Sequence, residues 1–281
     1  MGEADGGAGD QGQAAACGGR LERPRAGVGL LWLDRPARAN ALDQAHFERL
    51  RDDLLELSFL DLRVLVLAGR GRHFCGGIDL SPGNAALVEA VSSIEDADRA
   101  RALVRQLKGC FSPLRALPMV TIAAIEGACL GAGLELALHC DLRVGAAGSR
   151  YSLPETRLGL VPDLGGSTLL RRLLGPGPAA YLGLSGRPID ADEAHRLGLL
   201  SERCAEGEAL SAALRLADDV LLGSPTATRG LLRLLRHSDA EATTQALHEE
   251  TEAGVEAVCS GELIEAAMAR MEQRPPAWAQ G

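Results

Sequence analysis

The chain has 281 residues, a formal net charge of −9, an apolar share of 46 % and an aromatic share of only 3 %. That length suits one large domain or a domain with an appendage, and a core so poor in rings must be built from Leu, Val, Ile and Ala. The acidic balance argues against a general nucleic-acid binder, which normally carries a basic excess, and the lack of an apolar run of ~18 or more residues argues against a membrane span.

Nearly all the cations are arginine; Lys108 is the single lysine. The seven cysteines (Cys17, Cys75, Cys110, Cys129, Cys140, Cys204, Cys259) are scattered, with no CxxC pair and no clustering with histidine. Neither a metal site nor a disulfide framework is expected, and buried thiols in a reducing compartment are the plain reading.

Residues 1–19 (MGEADGGAGDQGQAAACGG) are Gly/Ala-rich and acidic, without an apolar signal core or the arginines of a transit peptide. They predict a disordered tail and, by default, a cytoplasmic location. Gly27–Asp34 and Leu62–Gly69 are short β-rich apolar runs ending at turn residues. Between them Phe47, Leu50, Leu54 and Leu57 fall at helical spacing after Asp43, a plausible N-cap. Strand, helix and strand suggest a parallel βαβ unit.

The pattern repeats. Ala100, Leu103, Val104, Leu107 and Phe111 mark one face of a helix that Pro118 stops. Val120–Glu126 reads as the next buried strand, Leu134–Cys140 as a helix, and Leu142–Val144 and Arg150–Leu153 as further short strands. From about Ala205 the strands disappear. Leu210, Ala213, Leu214 and Ala217, then Leu231, Leu232, Leu234 and Leu235, predict successive helices, continuing over Glu241–Met271. An α/β core followed by an all-helical end is the expected architecture.

Three segments carry chemistry. Gly69–Leu80 (GRGRHFCGGIDL) follows a strand, and its paired glycines let backbone N–H groups approach a ligand without Cβ interference; the same residues also make an ordinary turn. Gly127–Leu136 (GACLGAGLEL) is a strand-to-helix turn. The first N–H groups of a helix lack internal partners and carry partial positive charge, which suits an anion or a developing oxyanion. Close strand–helix packing would use the same glycines, and the dinucleotide fingerprint GxGxxG is not met. Tyr151–Gly166 (YSLPETRLGLVPDLGG) sets Glu155 and Asp163 in an apolar stretch, where an unpaired carboxylate is costly to bury. Each acid also has a structural reading: Glu155 capping Thr156 or pairing with Arg157, Asp163 as a turn residue before Gly165.

In order and spacing, the three segments together resemble the signature of the crotonase (enoyl-CoA hydratase/isomerase) family. FxxGxDL is met by Phe74–Leu80, GxxxGxGxELALxCD by Gly127–Asp141, and PExxLGxxPxxGG by Pro154–Gly166. The resemblance covers roughly Gly27 to Leu222 and includes GRPIDADEAHRLGLL (Gly186–Leu200). It implies an α/β fold, a crotonase-like spiral of ββα units with a C-terminal helical trimerisation region, assembled as trimers or hexamers. The corresponding division is a tail over 1–19, an acyl-CoA-binding catalytic core over 20–204 and a helical oligomerisation region over 205–281. Leu210, Leu214, Leu231, Leu235 and Leu263 are expected to stand exposed on that region and to build the interface.

By the same resemblance, the backbone N–H groups of Ile78 and Ala132 form an oxyanion hole for the thioester carbonyl. Ala132 stands where glycine is commoner, but only its N–H is needed. Glu135 and Glu155 match the two glutamates that hold and activate water in the family's hydratases. Asp163 occupies a position where hydratases usually have glycine, and where dienoyl-CoA and ring-opening isomerases carry aspartate. The dienoyl isomerases, however, also have aspartate at the position of Glu135. The implied reaction is hydration of a 2-enoyl-CoA, with double-bond isomerisation through Asp163 as the alternative. Coenzyme A is expected as part of the substrate, with no other cofactor and no metal. It would lie against Arg38 and Ala39 in the RPARANAL turn and near Gly76, Gly77, Asp79 and Leu80. Some crotonase homologues bind RNA or lose catalysis; the negative net charge and the intact glutamates favour the enzyme.

Overall fold

The computed structural model describes residues 20–237 and 240–279; the tail expected over 1–19 lies outside them. The main sheet has six strands in the order β1 (Leu21–Arg25), β2 (Val28–Leu33), β3 (Val64–Gly69), β4 (Val120–Ile125), β6 (Leu142–Ala146) and β9 (Glu202–Cys204). All its pairings are parallel except β1 with β2. A second sheet joins β5 (Ala128–Leu130), β7 (Arg150–Ser152) and β8 (Ile189–Asp190).

Parallel strands covered on both faces read as near-continuous apolar runs, and β4 is buried throughout. Period-2 alternation divides these strands between two cores. Leu31, Leu33, Leu65, Leu67, Ala123 and Ile125 join one cluster, while Leu30, Val64, Val66, Ile122 and Ala124 join the other. The first cluster lies under α1 (Gln44–Leu57), α3 (Ala97–Ala116) and α4 (Ala132–His139). The second lies under α8 (Ala209–Leu222), which presents Ala209, Ala212, Ala213 and Ala217.

The helix expected after Asp43 is α1, and the Asp43 carboxylate accepts from the His46 amide at 3.0 Å as its cap. α3 ends just before Pro118, and the pairing of β2 with β3 across α1 is the anticipated parallel unit. α4 begins at Ala132, earlier than expected; Gly133 in its first turn is a poor helix former and masks the start in the sequence. Several elements had no sequence signal, β1 and α2 among them. β1 reads LERPR, a polar strand with an internal proline, which only a sheet edge tolerates. α2 (Ala85–Ser92) starts from an Asn84 cap within Ser81–Asp96.

α5 (Gly166–Leu174) and α6 (Pro176–Ser185) pack on each other ahead of β8. After β8 and α7 (Ala191–Arg196), β9 closes the sheet, and the described residues beyond Cys204 hold no further strand. α9 (Pro225–His237) follows α8; α10 (Ala240–Cys259) then packs back on α3, and α11 (Glu262–Met271) on the single turn at Glu155–Leu158. This corrects the expected leucine surface. Leu263 is 8 % exposed, and Leu210 and Leu214 are half-buried against the second core. Helical spacing identifies an apolar face but not what covers it. Leu231 and Leu235 are exposed as expected, at 58 % and 64 %, and Leu234 joins them at 71 %. No helix among the described residues is long and apolar enough to cross a membrane.

Candidate active site

The first two motif segments meet edge to edge. Cys75 and Cys129 form a parallel bridge, with Cys75 N donating to Ala128 O at 2.9 Å and Leu130 N to Cys75 O at 3.0 Å. Leu42 bridges Ile78 through Leu42 N to Gly77 O and Asp79 N to Leu42 O, both 2.8 Å. A parallel bridge of that register uses the Gly77 carbonyl and the Asp79 N–H and leaves the Ile78 N–H out. Ala132 N opens α4, where no carbonyl one turn back is available. Neither N–H meets a protein acceptor among the described residues. The two lie close together: a Cβ added to Gly77, whose φ is 97°, would stand 2.8 Å from Leu130 O and 3.7 Å from Ala132 N. Two free donors, one at a helix N-terminus, suit a carbonyl oxygen that gains negative charge.

Beside them lies a cavity of about 70 Å³ whose lining includes Ile78, Ala132, Glu135, Glu155 and Asp163. Ala86, Leu103, Leu107, Val258 and Leu263 give it an otherwise apolar wall. All three carboxylic acids, both donor residues and the C-terminal helices therefore converge on one place.

Glu135 is 2 % exposed on α4, and its Oε2 accepts from Leu164 N at 2.9 Å and Gly166 N at 2.8 Å. A side chain at Gly166 would collide with that oxygen, since its Cβ would stand 2.4 Å away. Burial pushes the Glu135 carboxyl well above the ordinary range; the charges of Glu155, Asp163 and Glu250 add to this and the Gly166 amide opposes it. Glu155 sits 8 % exposed at the start of a single 3₁₀ turn, and its buried Oε2 has no hydrogen-bond partner. Burial lifts its carboxyl to about 8. Asp163 is half-buried, and its carboxyl is raised to about 7, by burial first and then by the Glu250 carboxylate, with Lys108 opposing.

The Leu164–Gly166 turn is held from several sides. His139 Nε2 contacts Leu164 O at 2.8 Å; the carbonyl only accepts, so Nε2 carries the hydrogen. Burial pushes the His139 imidazole down to about 4, so the ring is neutral. α5 has no side-chain cap of its own at Gly165. Distant carboxylates cap it instead: Glu135 through Gly166 N, and Glu250 through Gly165 N at 2.7 Å and Thr168 N at 3.1 Å.

The residues expected around coenzyme A lie outside the cavity lining. Arg38 is exposed, and Ala39 adopts a left-handed φ of 52°. Gly76 N donates to Ala39 O at 2.8 Å, which joins the RPARANAL turn to Gly76–Gly77. Asn40 completes that joint, its amide nitrogen donating to His73 O at 2.7 Å and Arg70 O at 3.0 Å. Asp79 is buried and paired with Arg35 at 2.7 Å, while its other oxygen accepts from Ser81 N. Its carboxylate thus fixes the turn rather than facing the cavity, and Leu80 follows it half-buried. Asn40, Arg35, Lys108 and Glu250 were not singled out from sequence; each acts across a long separation, and only the lone lysine was visible as unusual.

A family model described as enoyl-CoA hydratase/isomerase matches residues 23–281. The chain is 37 % identical over 216 residues to the mitochondrial enoyl-CoA hydratase domain-containing protein 2 of Mus musculus, covering 74 % of this chain and 70 % of that one. It is 33 % identical to the 2,3-dehydroadipyl-CoA hydratase of Escherichia coli, covering 88 % and 93 % respectively. Among solved structures, an enoyl-CoA hydratase/isomerase from Pseudoalteromonas atlantica superposes with a TM-score of 0.78 at 25 % identity, over 92 % of this chain and all of that one. OdaA of Pseudomonas aeruginosa gives 0.76 at 29 % identity, over 90 % and 98 %. Motif order, the parallel core with its second sheet and these matches agree: the chain belongs to the enoyl-CoA hydratase/isomerase, or crotonase, family.

Proposed function

We propose that the protein is an enoyl-CoA hydratase that adds water across the C2–C3 double bond of a 2-enoyl-CoA. The observation that carries this reading is the cavity itself, where two free amides and two buried glutamates meet in an apolar wall. The thioester oxygen accepts from Ile78 N–H and Ala132 N–H, and each such donor is worth on the order of 3 kcal/mol as charge develops there. Water lies between Glu135 and Glu155, which share a proton as a coupled pair. Glu135, with two amides on Oε2, is the carboxylate that takes the water proton. Glu155, with no donor on its buried Oε2, holds the proton delivered to C2. The hydroxyl adds at C3, and the proton gained by Glu135 restores the pair. The adenosine end of coenzyme A rests on Arg38 and Ala39, above Gly76 and Gly77.

The test is product analysis with a 2-enoyl-CoA and a 3,5-dienoyl-CoA side by side. A 3-hydroxyacyl-CoA from the first supports the reading; turnover of the second alone overturns it. One observation favours the second activity, double-bond isomerisation: Asp163 lines the same cavity as the glutamates. Asp163→Asn is expected to leave hydration within about tenfold, a change under ~1.4 kcal/mol in barrier, while any dienoyl isomerisation falls much further. Joint collapse of both activities in a folded variant would place Asp163 with the water-handling pair.

Leu231, Leu234 and Leu235 of α9 are 58–71 % exposed, an apolar strip of the kind that marks an interface. A trimer or a pair of trimers is the expected assembly, measured by light scattering at micromolar concentration; a monomer there rules it out.

A further inference from the structure

We propose that the ion pair between Lys108 of α3 and Glu250 of α10 is the positioning device of this site, holding the turn that carries Asp163 and aims Glu135. The pair is buried: Lys108 Nζ lies 2.8 Å from Glu250 Oε1, with side-chain exposures of 14 % and 2 %. Lys108 also donates to Leu247 O at 2.9 Å and Thr251 Oγ1 at 3.0 Å. Besides Lys108, Glu250 receives the amides of Gly165 and Thr168 and the Ser167 hydroxyl. A buried ion pair contributes little net stability, because desolvation offsets the attraction. Its placement is the informative feature. The turn is clamped between two carboxylates, Glu135 from one side and Glu250 from the other, on alternate amides.

α10 also sets the position of Asp163 directly. Gly254 is one helical turn beyond Glu250 and therefore on the same face; a Cβ there would stand 2.4 Å from Asp163 Oδ2. The helix thus presents Asp163 with one carboxylate and one vacant side-chain position. Glu250 on α10 and Lys108 on α3 act on Asp163; Glu135 and Glu155 line the same cavity, and the neutral His139 contacts the next residue, Leu164, through its carbonyl. Glu250 pushes the Asp163 carboxyl up and Lys108 pulls it down, so removing either partner moves Asp163 in a known direction.

The kinetic part of this inference rests on the proposed hydratase or isomerase chemistry; the titration part does not. Lys108→Met and Glu250→Gln are compared with the parent by infrared titration of the Asp163 carboxyl, assigned by its loss in Asp163→Asn. The midpoint should fall in Glu250→Gln and rise in Lys108→Met. Lys108→Arg, which keeps the charge, should stay near the parent. In steady-state hydration, Glu250→Gln should lose ~10²-fold in kcat, as expected for misplaced catalytic groups, with KM changed less than threefold. A purely structural pair would lower the melting temperature of both variants and leave the Asp163 midpoint in place, or move it the same way in both; either result overturns the inference. If a single variant does not fold, the double Lys108→Met/Glu250→Met removes both buried charges together. Its Asp163 midpoint should lie between those expected for the two singles and below the parent, and an unchanged midpoint would overturn the inference. An active enzyme with unmoved midpoints refutes this inference alone. Moved midpoints in a chain inactive toward every CoA thioester refute the proposed function alone.

Discussion

Glu155→Gln and Glu135→Gln each lower kcat for 2-enoyl-CoA hydration by ~10²-fold or more, while thioester affinity changes little. Each substitution deletes one acid–base partner, a loss typically worth 10²–10⁴-fold, and leaves the Ile78 and Ala132 amides in place. Near-normal hydration by both variants would sink the mechanism. The same substitutions carry a stability signature of opposite sign. Glu155 titrates at about 8 in the folded chain against 4.5 ordinarily. Between those values the folded state binds the proton more tightly than the unfolded one, so stability falls as pH rises across that window. Glu155→Gln removes the penalty. At pH 8 the variant should melt above the parent, and the gap should close below pH 4.5. A tenfold difference in proton affinity corresponds to ~1.4 kcal/mol, so a gap of a few kcal/mol is the upper bound. A variant that loses activity while gaining alkaline stability is hard to explain by misfolding.

Gly77→Ala is the second large effect expected, and it reaches donors that no side-chain substitution can remove. The residue combines a φ of 97° with a Cβ position 2.8 Å from Leu130 O. A methyl group there must displace either the strand carrying Leu130 or the peptide that presents Ile78 N–H. Loss of one oxyanion donor costs about 10²–10³-fold in kcat, and Gly77→Ala should reach that range with the glutamate pair intact. The distinguishing measurement is the pH–rate profile: its midpoints should stay where they are while its height collapses. Shifted midpoints would mean that the substitution disturbs Glu135 or Glu155 instead.

The three motif segments were legible because their chemistry is local. A turn that needs glycine and an acid beside a helix N-terminus leave marks within a few residues of each other. Ile78, Ala132, Glu135, Glu155 and Asp163 accordingly meet at one cavity. What was not legible acts at a distance. Lys108 and Glu250 are far apart in sequence, and Glu250 sits in an acidic helical run (HEETEAGVE) where it looks like any solvated face. Leu263 shows the converse limit: its spacing gave an apolar face, and only the packing of α11 on the Glu155–Leu158 turn shows that this face closes the cavity. β1 was invisible because an edge strand needs no apolar alternation.

The engagement of Lys108 has a chemical consequence for a protein that handles activated acyl groups. Thioesters acylate free amines, and this chain contains one side-chain amine. That amine is buried against Glu250, Leu247 O and Thr251. Elsewhere its cationic side chains are guanidiniums, which stay protonated and are poor nucleophiles. Under the proposed activity, the protein can therefore meet acyl thioesters without lysine amides accumulating on its surface. By the same logic, labelling of Lys108 itself by an amine-directed reagent, located by peptide mapping, reports the parting of α3 from α10.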